Sequence, residues 1–235
     1  VDLDNNGQKE NYFGTEEGKL QGYHFSGELI NGFPFSTDDN VRSSPAISDL
    51  DNDGVDEIIF GSFDGKIYVL DSQGSLKLSY TQSGYIVGSV AIADLDQDGD
   101  KEIIFTTQDG NSGKLYAIHN DGNNVEGFPV DVSEKMLVGA AVGDLENDGS
   151  VEIVICTWGE KIYAYNSNGV LKPGFPVVST KRFNAPPTLV DIDNDGSLEI
   201  VAGNDNGLLH VLNHDGSEFA TFNTGDDIRG GISIA

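Results

Sequence analysis

Basic residues are scarce: 13 Lys and Arg stand against 39 Asp and Glu, a formal net charge of −26. A phosphate backbone is bound by clustered Lys and Arg, so this balance excludes nucleic acid as a partner class. Cysteine occurs once, as Cys156 in the apolar run Val154-Ile155-Cys156. That excludes an intramolecular disulfide and reads as a buried, inert thiol. No run approaches the ~18 apolar residues of a membrane span, and none has a signal-peptide pattern, so membrane insertion is not expected. An initiator Met is also lacking, which leads us to expect a processed product or an excised fragment. No segment sustains a 3.6-residue apolar period, so helices are expected to be absent or single turns.

What the chain does have is glycine, 30 residues of it, with only 37% apolar residues and many Asp-Gly and Asn-Gly pairs. That composition describes short strands joined by tight turns. The acids are not scattered. Asp49-Leu50-Asp51-Asn52-Asp53-Gly54-Val55-Asp56-Glu57 runs into the apolar strand Ile58-Ile59-Phe60, and the same pattern occurs five times. Its first aspartates are Asp2, Asp49, Asp94, Asp144 and Asp191, spaced by 47, 45, 50 and 47 residues. Four positions of these loops hold 19 of the 39 acidic residues, so a fixed pattern accounts for about half of the anionic excess.

Each repeat reads as four short strands. Pro45-Ala46-Ile47-Ser48 enters the acidic loop, Glu57-Ile58-Ile59-Phe60-Gly61 leaves it, and Lys66-Ile67-Tyr68-Val69-Leu70 follows the turn at Asp64-Gly65. The fourth segment is less regular and carries Gly-Phe-Pro at residues 32–34, 127–129 and 174–176. Four strands per unit of about 45 residues is the arithmetic of a β-propeller blade. The expected architecture is all-β: a single propeller domain over residues 1–235, with units starting near 2, 49, 94, 144 and 191. The tyrosines of the third strands are expected in the core. Gly231-Ile232-Ser233-Ile234-Ala235 resembles the strand that precedes an acidic loop, so residues 231–235 are expected to pair with the N-terminal unit and close a five-bladed ring. Five units cut from a longer array remain the other reading.

Counted from the first Asp, loop positions 1, 3 and 5 offer side-chain oxygens, position 6 is always Gly and position 9 always Glu. Alternate oxygens of a tight loop can converge on one centre, while glycine accepts the positive φ such a turn demands. Position 7 varies, which suits a backbone carbonyl ligand. The expected metal ligands are therefore Asp2, Asp4, Asn6, Gln8 and Glu10 in the first loop, and Asp49, Asp51, Asp53, Val55 and Glu57 in the second. The third contributes Asp94, Asp96, Asp98, Asp100 and Glu102, the fourth Asp144, Glu146, Asp148, Ser150 and Glu152, and the fifth Asp191, Asp193, Asp195, Ser197 and Glu199. Six or seven hard oxygens with three or four negative charges suit Ca²⁺, about five ions in all, better than Mg²⁺ or zinc. An EF-hand would need a bidentate Glu at position 12, where Phe60, Phe105, Ile155 and Ala202 stand in the four later units. A plain polar turn would not recur five times in register.

These repeats resemble the FG-GAP/VCBS family, the calcium-loop blades of integrin α-subunit propellers and of many secreted bacterial proteins. The resemblance is carried by Asp49-x-Asp51-x-Asp53-Gly54-x-x-Glu57 and the following Ile58-Ile59-Phe60-Gly61, and it spans essentially the whole chain. It implies a β-propeller with Ca²⁺ bridging the turn between the first two strands of each blade, in an extracellular or cell-surface setting. Related repeats often have Asp where position 9 here is Glu, and integrin propellers have seven blades.

No nucleophile–base–orienter set emerges from His24, His119, His210 and His214, so an enzyme is not expected. The connections opposite the acidic turns are the least repetitive. One set holds Phe63, the stretch 108–112, Trp158 and the stretch 204–206. The other holds Arg42, Tyr85, Lys135, Lys181, Arg182, Phe183 and Arg229, five of the 13 basic residues among them. Loops on a rigid scaffold are where recognition usually sits. Arg42, Phe63, Tyr85, Trp158, Arg182, Phe183 and Arg229 are the candidate ligand-binding residues, with Trp158 as a candidate sugar-stacking platform. The expected function is that of a calcium-binding surface module for a protein or glycan ligand. A lectin, or the propeller part of a polysaccharide-degrading enzyme, is the alternative.

Overall fold

The computed structural model describes residues 2–3 and 7–234. They contain no helix and fold into five antiparallel meanders. Four are four-stranded. The first is Ala46–Ser48, Glu57–Gly61, Lys66–Leu70 and Leu76–Thr81. Next come Ala91–Ala93, Glu102–Thr106, Lys114–Ile118 and Val130–Asp131. The third is Ala141–Gly143, Glu152–Cys156, Lys161–Tyr165 and Val177–Val178, and the last Thr188–Val190, Glu199–Gly203, Leu208–Leu212 and Glu218–Asn223. The first unit shows three strands, Asn11–Gly14, Lys19–Tyr23 and Phe35–Ser36. Each of the four later acidic loops links the first strand of a sheet to its second, as the repeat spacing predicts.

The second and third strands carry apolar residues that are buried on both sides, as strands enclosed between two neighbouring sheets must be. Four apolar clusters form, each between consecutive units. Leu20, Phe33 and Val41 of the first unit meet Ile58, Phe60 and Leu70 of the second, and Ile59 and Val69 of the second meet Ile103, Phe105 and Ile118 of the third. The same pattern joins the third unit to the fourth and the fourth to the fifth. Tyr68, Tyr116 and Tyr163 are buried, and the first two stack on their cross-strand partners Phe60 and Phe105 with centroids 5.3 and 5.0 Å apart. The tyrosine column is core.

The Gly-Phe-Pro segments join blades. Gly32, Gly127 and Gly174 have φ near +90°, and a Cβ on them would lie 1.9, 1.9 and 2.0 Å from the carbonyl oxygens of Gln73, Asn168 and Asp215. Each glycine thus touches the turn between strands three and four of the next unit, a contact only a residue without Cβ permits. The phenylalanine that follows, Phe33, Phe128 or Phe175, fills the inter-unit core.

Residues 231–234 do not form the closing strand expected of them. Among the described residues they join no sheet, and Ile232 accepts a 3.1 Å hydrogen bond from the Thr188 hydroxyl of the fifth unit. Gly230 and Gly231 bring no side chains to anchor the segment. Val1 and Ala235, the two ends of the expected pairing, lie outside the described residues.

Candidate metal loops and the loop-rich face

The acidic loops template themselves before any ion is considered. The position-1 carboxylate accepts the N–H of the position-6 glycine in all five: Gly7 to Asp2 at 2.9 Å, Gly54 to Asp49 at 2.9 Å, Gly99 to Asp94 at 3.2 Å, Gly149 to Asp144 at 2.7 Å and Gly196 to Asp191 at 3.1 Å. The position-5 carboxylate accepts the N–H of position 7, from Val55, Asp100, Ser150 and Ser197, at 2.8–2.9 Å. These Asx turns curl the chain so that the remaining oxygens face one another.

The position-9 glutamate closes the loop from below. Glu10, Glu57, Glu102, Glu152 and Glu199 are buried, and each accepts the position-2 N–H through Oε2 at 2.7–3.1 Å. One oxygen is therefore committed to the backbone, and only Oε1 is left for another partner. Burial pushes the carboxyls of Glu102 and Glu152 up from their ordinary value, against the lowering effect of the Leu95 and Leu145 N–H groups.

Three loops bring ligand-type oxygens together. Oxygens of Asp49, Asp51 and Asp53, of Asp94, Asp96 and Asp98, and of Asp191, Asp193 and Glu199 lie within 4.8 Å of one another. Asp96 and Glu102 also gather with His119, whose Nδ1 is 3.1 Å from Glu102 Oε1. Asp94 Oδ1 and Glu10 Oε1 are buried without a hydrogen-bond partner. Grouped carboxylates with orphaned buried oxygens are what a hard divalent cation would satisfy, so these loops fit one. Among the described residues no such group forms in the fourth loop, where Lys172 Nζ sits 2.5 Å from Glu146. In the second, Lys77 Nζ lies 2.5 Å from Glu57 Oε1, and that hydrogen bond raises the lysine pKa. Asp4 and Asn6 lie outside the described residues.

Position 4 is a functional position that sequence reasoning passed over. Asn52, Gln97, Asn147 and Asn194 all have φ between 55 and 63°, the left-handed region that asparagine tolerates. The side chain then reaches the next unit: Gln97 Nε2 donates to the Gly149 carbonyl at 2.7 Å, and Asn52 Nδ2 donates to that of Gly99. Adjacent acidic loops are laced together. The signal was present, since this column is always an amide, Asn5 included.

At the opposite end the candidate ligand residues separate into two groups. Arg42, Phe63 and Tyr85 adjoin: the guanidinium lies 4.9 Å from the Phe63 ring centroid, Phe63 and Tyr85 are 5.4 Å apart, and Tyr85 is 49% exposed. Trp158, Arg182 and Arg229 form the second group around the buried carboxylate of Asp205. Arg182 Nε donates to it at 2.7 Å, Asn184 Nδ2 at 2.7 Å and Arg229 Nε at 3.3 Å. Burial alone would raise the Asp205 carboxyl, but these donors hold it below its ordinary value. Trp158 does not offer a free ring. Lys135 Nζ lies 3.8 Å and the Arg182 guanidinium 4.3 Å from its centroid, while Nε1 donates to Asn184 at 2.8 Å. The indole is held by its own chain, which removes the basis for a sugar-stacking platform.

Phe183 is fully buried and presents no surface to a ligand. It belongs to a column formed by Val41, Ile86, Met136, Phe183 and Ile228, spaced by 45, 50, 47 and 45 residues. The first four are buried plugs between blades. In the later units the residue before the plug pairs through its carbonyl with the turn of the next unit, as in Trp158 N–H to Lys135 at 2.9 Å and Asp205 N–H to Arg182 at 3.0 Å. That ladder sets the spacing of the whole face.

Comparison with known proteins places this geometry. No curated protein sequence matches. Among solved structures, BBS1N in complex with ARL6DN has a TM-score of 0.68 at 14% identity, over 95% of this chain and 64% of that one. The V. cholerae biofilm matrix protein Bap1 gives 0.67 at 22%, over 95% and 38%. Quinohemoprotein alcohol dehydrogenase from Comamonas testosteroni gives 0.67 at 16%, over 95% and 44%. The chain spans less than two thirds of each, and such identities show a shared β-propeller fold alone. A family model for the FG-GAP-like repeat matches residues 49–105 and 94–155, covering the second to fourth acidic loops. Residues 49–155 of this all-β, propeller-type chain are therefore similar to FG-GAP-like repeats.

Proposed function

We propose that the chain is a calcium-stabilised propeller module that works outside the cell and binds a protein or glycan ligand through the loops opposite its acidic turns. One observation carries the metal reading. Three loops gather ligand-type oxygens within 4.8 Å, and the buried Asp94 Oδ1 among them has no partner. Oxygen-only sets with several charges favour Ca²⁺ over Mg²⁺, and in the third loop His119 stands at the edge of an otherwise oxygen set. In the blades whose loops gather these oxygens, the ions would tie strand one to strand two and offset part of the charge of −26. The scaffold role leaves the other face for recognition. There Tyr85, 49% exposed, adjoins Phe63 and Arg42 and offers an open aromatic and cationic group. The biofilm matrix protein with the same fold supports an extracellular placement. The dehydrogenase neighbour shares the fold at 16% identity and lends no activity.

The test is a thermal melt with and without chelator, followed by ligand screening at fixed calcium. An ion at a hundredfold its dissociation constant stabilises by about 2.7 kcal/mol. Three such ions together therefore shift the Tm by roughly 15–30 °C in a chain of this size. An unchanged melt after verified metal removal overturns the calcium reading. Any glycan or protein captured in the screen is expected to be lost on Tyr85→Ala or Arg42→Ala and kept on Trp158→Ala. The reverse pattern rejects the assigned surface.

A further inference from the structure

The fourth acidic loop departs from its siblings by one substitution and one neighbour. Position 3 is Glu146 instead of Asp. In the fourth segment of the blade, the column that holds Ile30 and Val125 in the first and third units holds Lys172 here. The three equivalent N–H groups donate to the carbonyls of Gly22, Ala117 and Ala164, which fixes the register. Lys172 is only 7% exposed, with Nζ 2.5 and 2.6 Å from the two Glu146 oxygens and 3.4 Å from Glu152 Oε1. A buried ammonium is costly unless carboxylates compensate it, and here two do.

We propose that the Lys172 ammonium is the built-in cation of the fourth loop, which takes no divalent ion while its siblings do. The inference rests on reading the other loops as calcium sites. Lysine occupies the very oxygens a metal would need, Glu146 and the free Oε1 of Glu152, and its charge repels a second cation from the same cage. The extra methylene of Glu146 supplies the reach. The second loop shows that lysine in this column is not sufficient. Lys77 occupies it too, but its side chain is 40% exposed and pairs with Glu57 Oε1 alone, leaving Asp49, Asp51 and Asp53 grouped. Only the pairing of a buried lysine with a lengthened position-3 carboxylate fills the loop.

Calcium bound per chain, counted by native mass spectrometry, decides the matter. Asp148→Asn is expected to leave the wild-type count unchanged, while Asp98→Asn in the third loop lowers it by one. Lys172→Val combined with Glu146→Asp rebuilds the sibling pattern and is expected to raise the count by one. A count that falls by one in Asp148→Asn overturns the proposal. So does a natively folded double variant with no added ion. Should the double variant fail to fold, the count in Asp148→Asn alone separates the two outcomes. A wild-type chain that takes up no calcium at all sinks the reading of the sibling loops instead, and the double variant's gain or lack of gain still decides the role of Lys172.

Discussion

His210 shows how one residue in a repeated column acquires its own chemistry. Tyr68, Tyr116 and Tyr163 hold the equivalent place in earlier units, where Tyr68 donates to Asp64 at 2.6 Å. His210 instead meets the Ser179 hydroxyl at 2.8 Å through Nε2, and Asn204 Nδ2 donates to that hydroxyl at 2.9 Å. Burial lowers its pKa below 6.5, opposed weakly by Glu218. A depressed pKa means the unfolded chain binds the proton more readily. The stability from keeping this ring neutral is complete above about 6.5 and is lost as the pH falls toward the folded-state value. His210→Tyr restores the column residue and removes the titration. Urea unfolding between about pH 7 and 5 should show a smaller stability loss in the variant than in the wild type. Parallel pH profiles would show that His210 contributes nothing to acid sensitivity.

At the scale of elements the sequence predicted most of what forms. Glu57–Gly61 and Lys66–Leu70 are strands with the bounds their alternation suggests, and the four later acidic loops sit between strands one and two. These features were legible because each depends on residues within one unit, and five copies average away local noise. What escaped depends on register between units. Phe183 looked exposed beside Lys181 and Arg182, yet eight residues before each later acidic loop stands an apolar plug, Val41, Ile86, Met136 or Phe183. The amides of position 4 escaped for the same reason, since Gln97 finds its partner, Gly149, one blade away. Trp158 escaped because its cover comes from Lys135 and Arg182 of two other connections.

The inter-unit contacts of Gly-Phe-Pro can be tested as an element. A Cβ at Gly127 meets the Asn168 carbonyl at 1.9 Å, whereas Gly225, at a similar φ of +85°, has open space around it. Both substitutions to Ala carry the cost of a left-handed backbone, roughly 1–3 kcal/mol. Only Gly127→Ala must also push two blades apart. Chemical denaturation should place Gly127→Ala clearly below Gly225→Ala in stability. Equal losses would mean that the blade contact contributes nothing.

For the whole molecule the governing quantities are the stacking of units and the charge they carry. Each position-2 side chain, Leu3, Leu50, Leu95 or Leu145, is buried in the core with the next unit, whereas Ile192 of the fifth is 39% exposed. Phe219 and Phe222 of that sheet are also exposed, as is Phe13 of the first unit. The core is thus built between neighbours, one interface at a time, and the stability of the chain approximates a sum over such interfaces. Charge acts on that sum globally. At −26, with carboxylates grouped in the acidic loops, self-repulsion opposes the compact state unless cations screen or bind them. Monovalent salt can only screen, with a Debye length of about 10 Å at 0.1 M and about 3 Å at 1 M. Calcium held in the loops would cancel the same charges at contact distance. In chelator, raising sodium chloride from about 0.05 to 0.5 M should therefore raise the Tm, and in saturating calcium the same salt step should raise it much less. A salt response of equal size in both conditions would mean that the loop carboxylates are not where the repulsion lies, and that the acidic turns are solvated in the folded chain with or without a divalent ion.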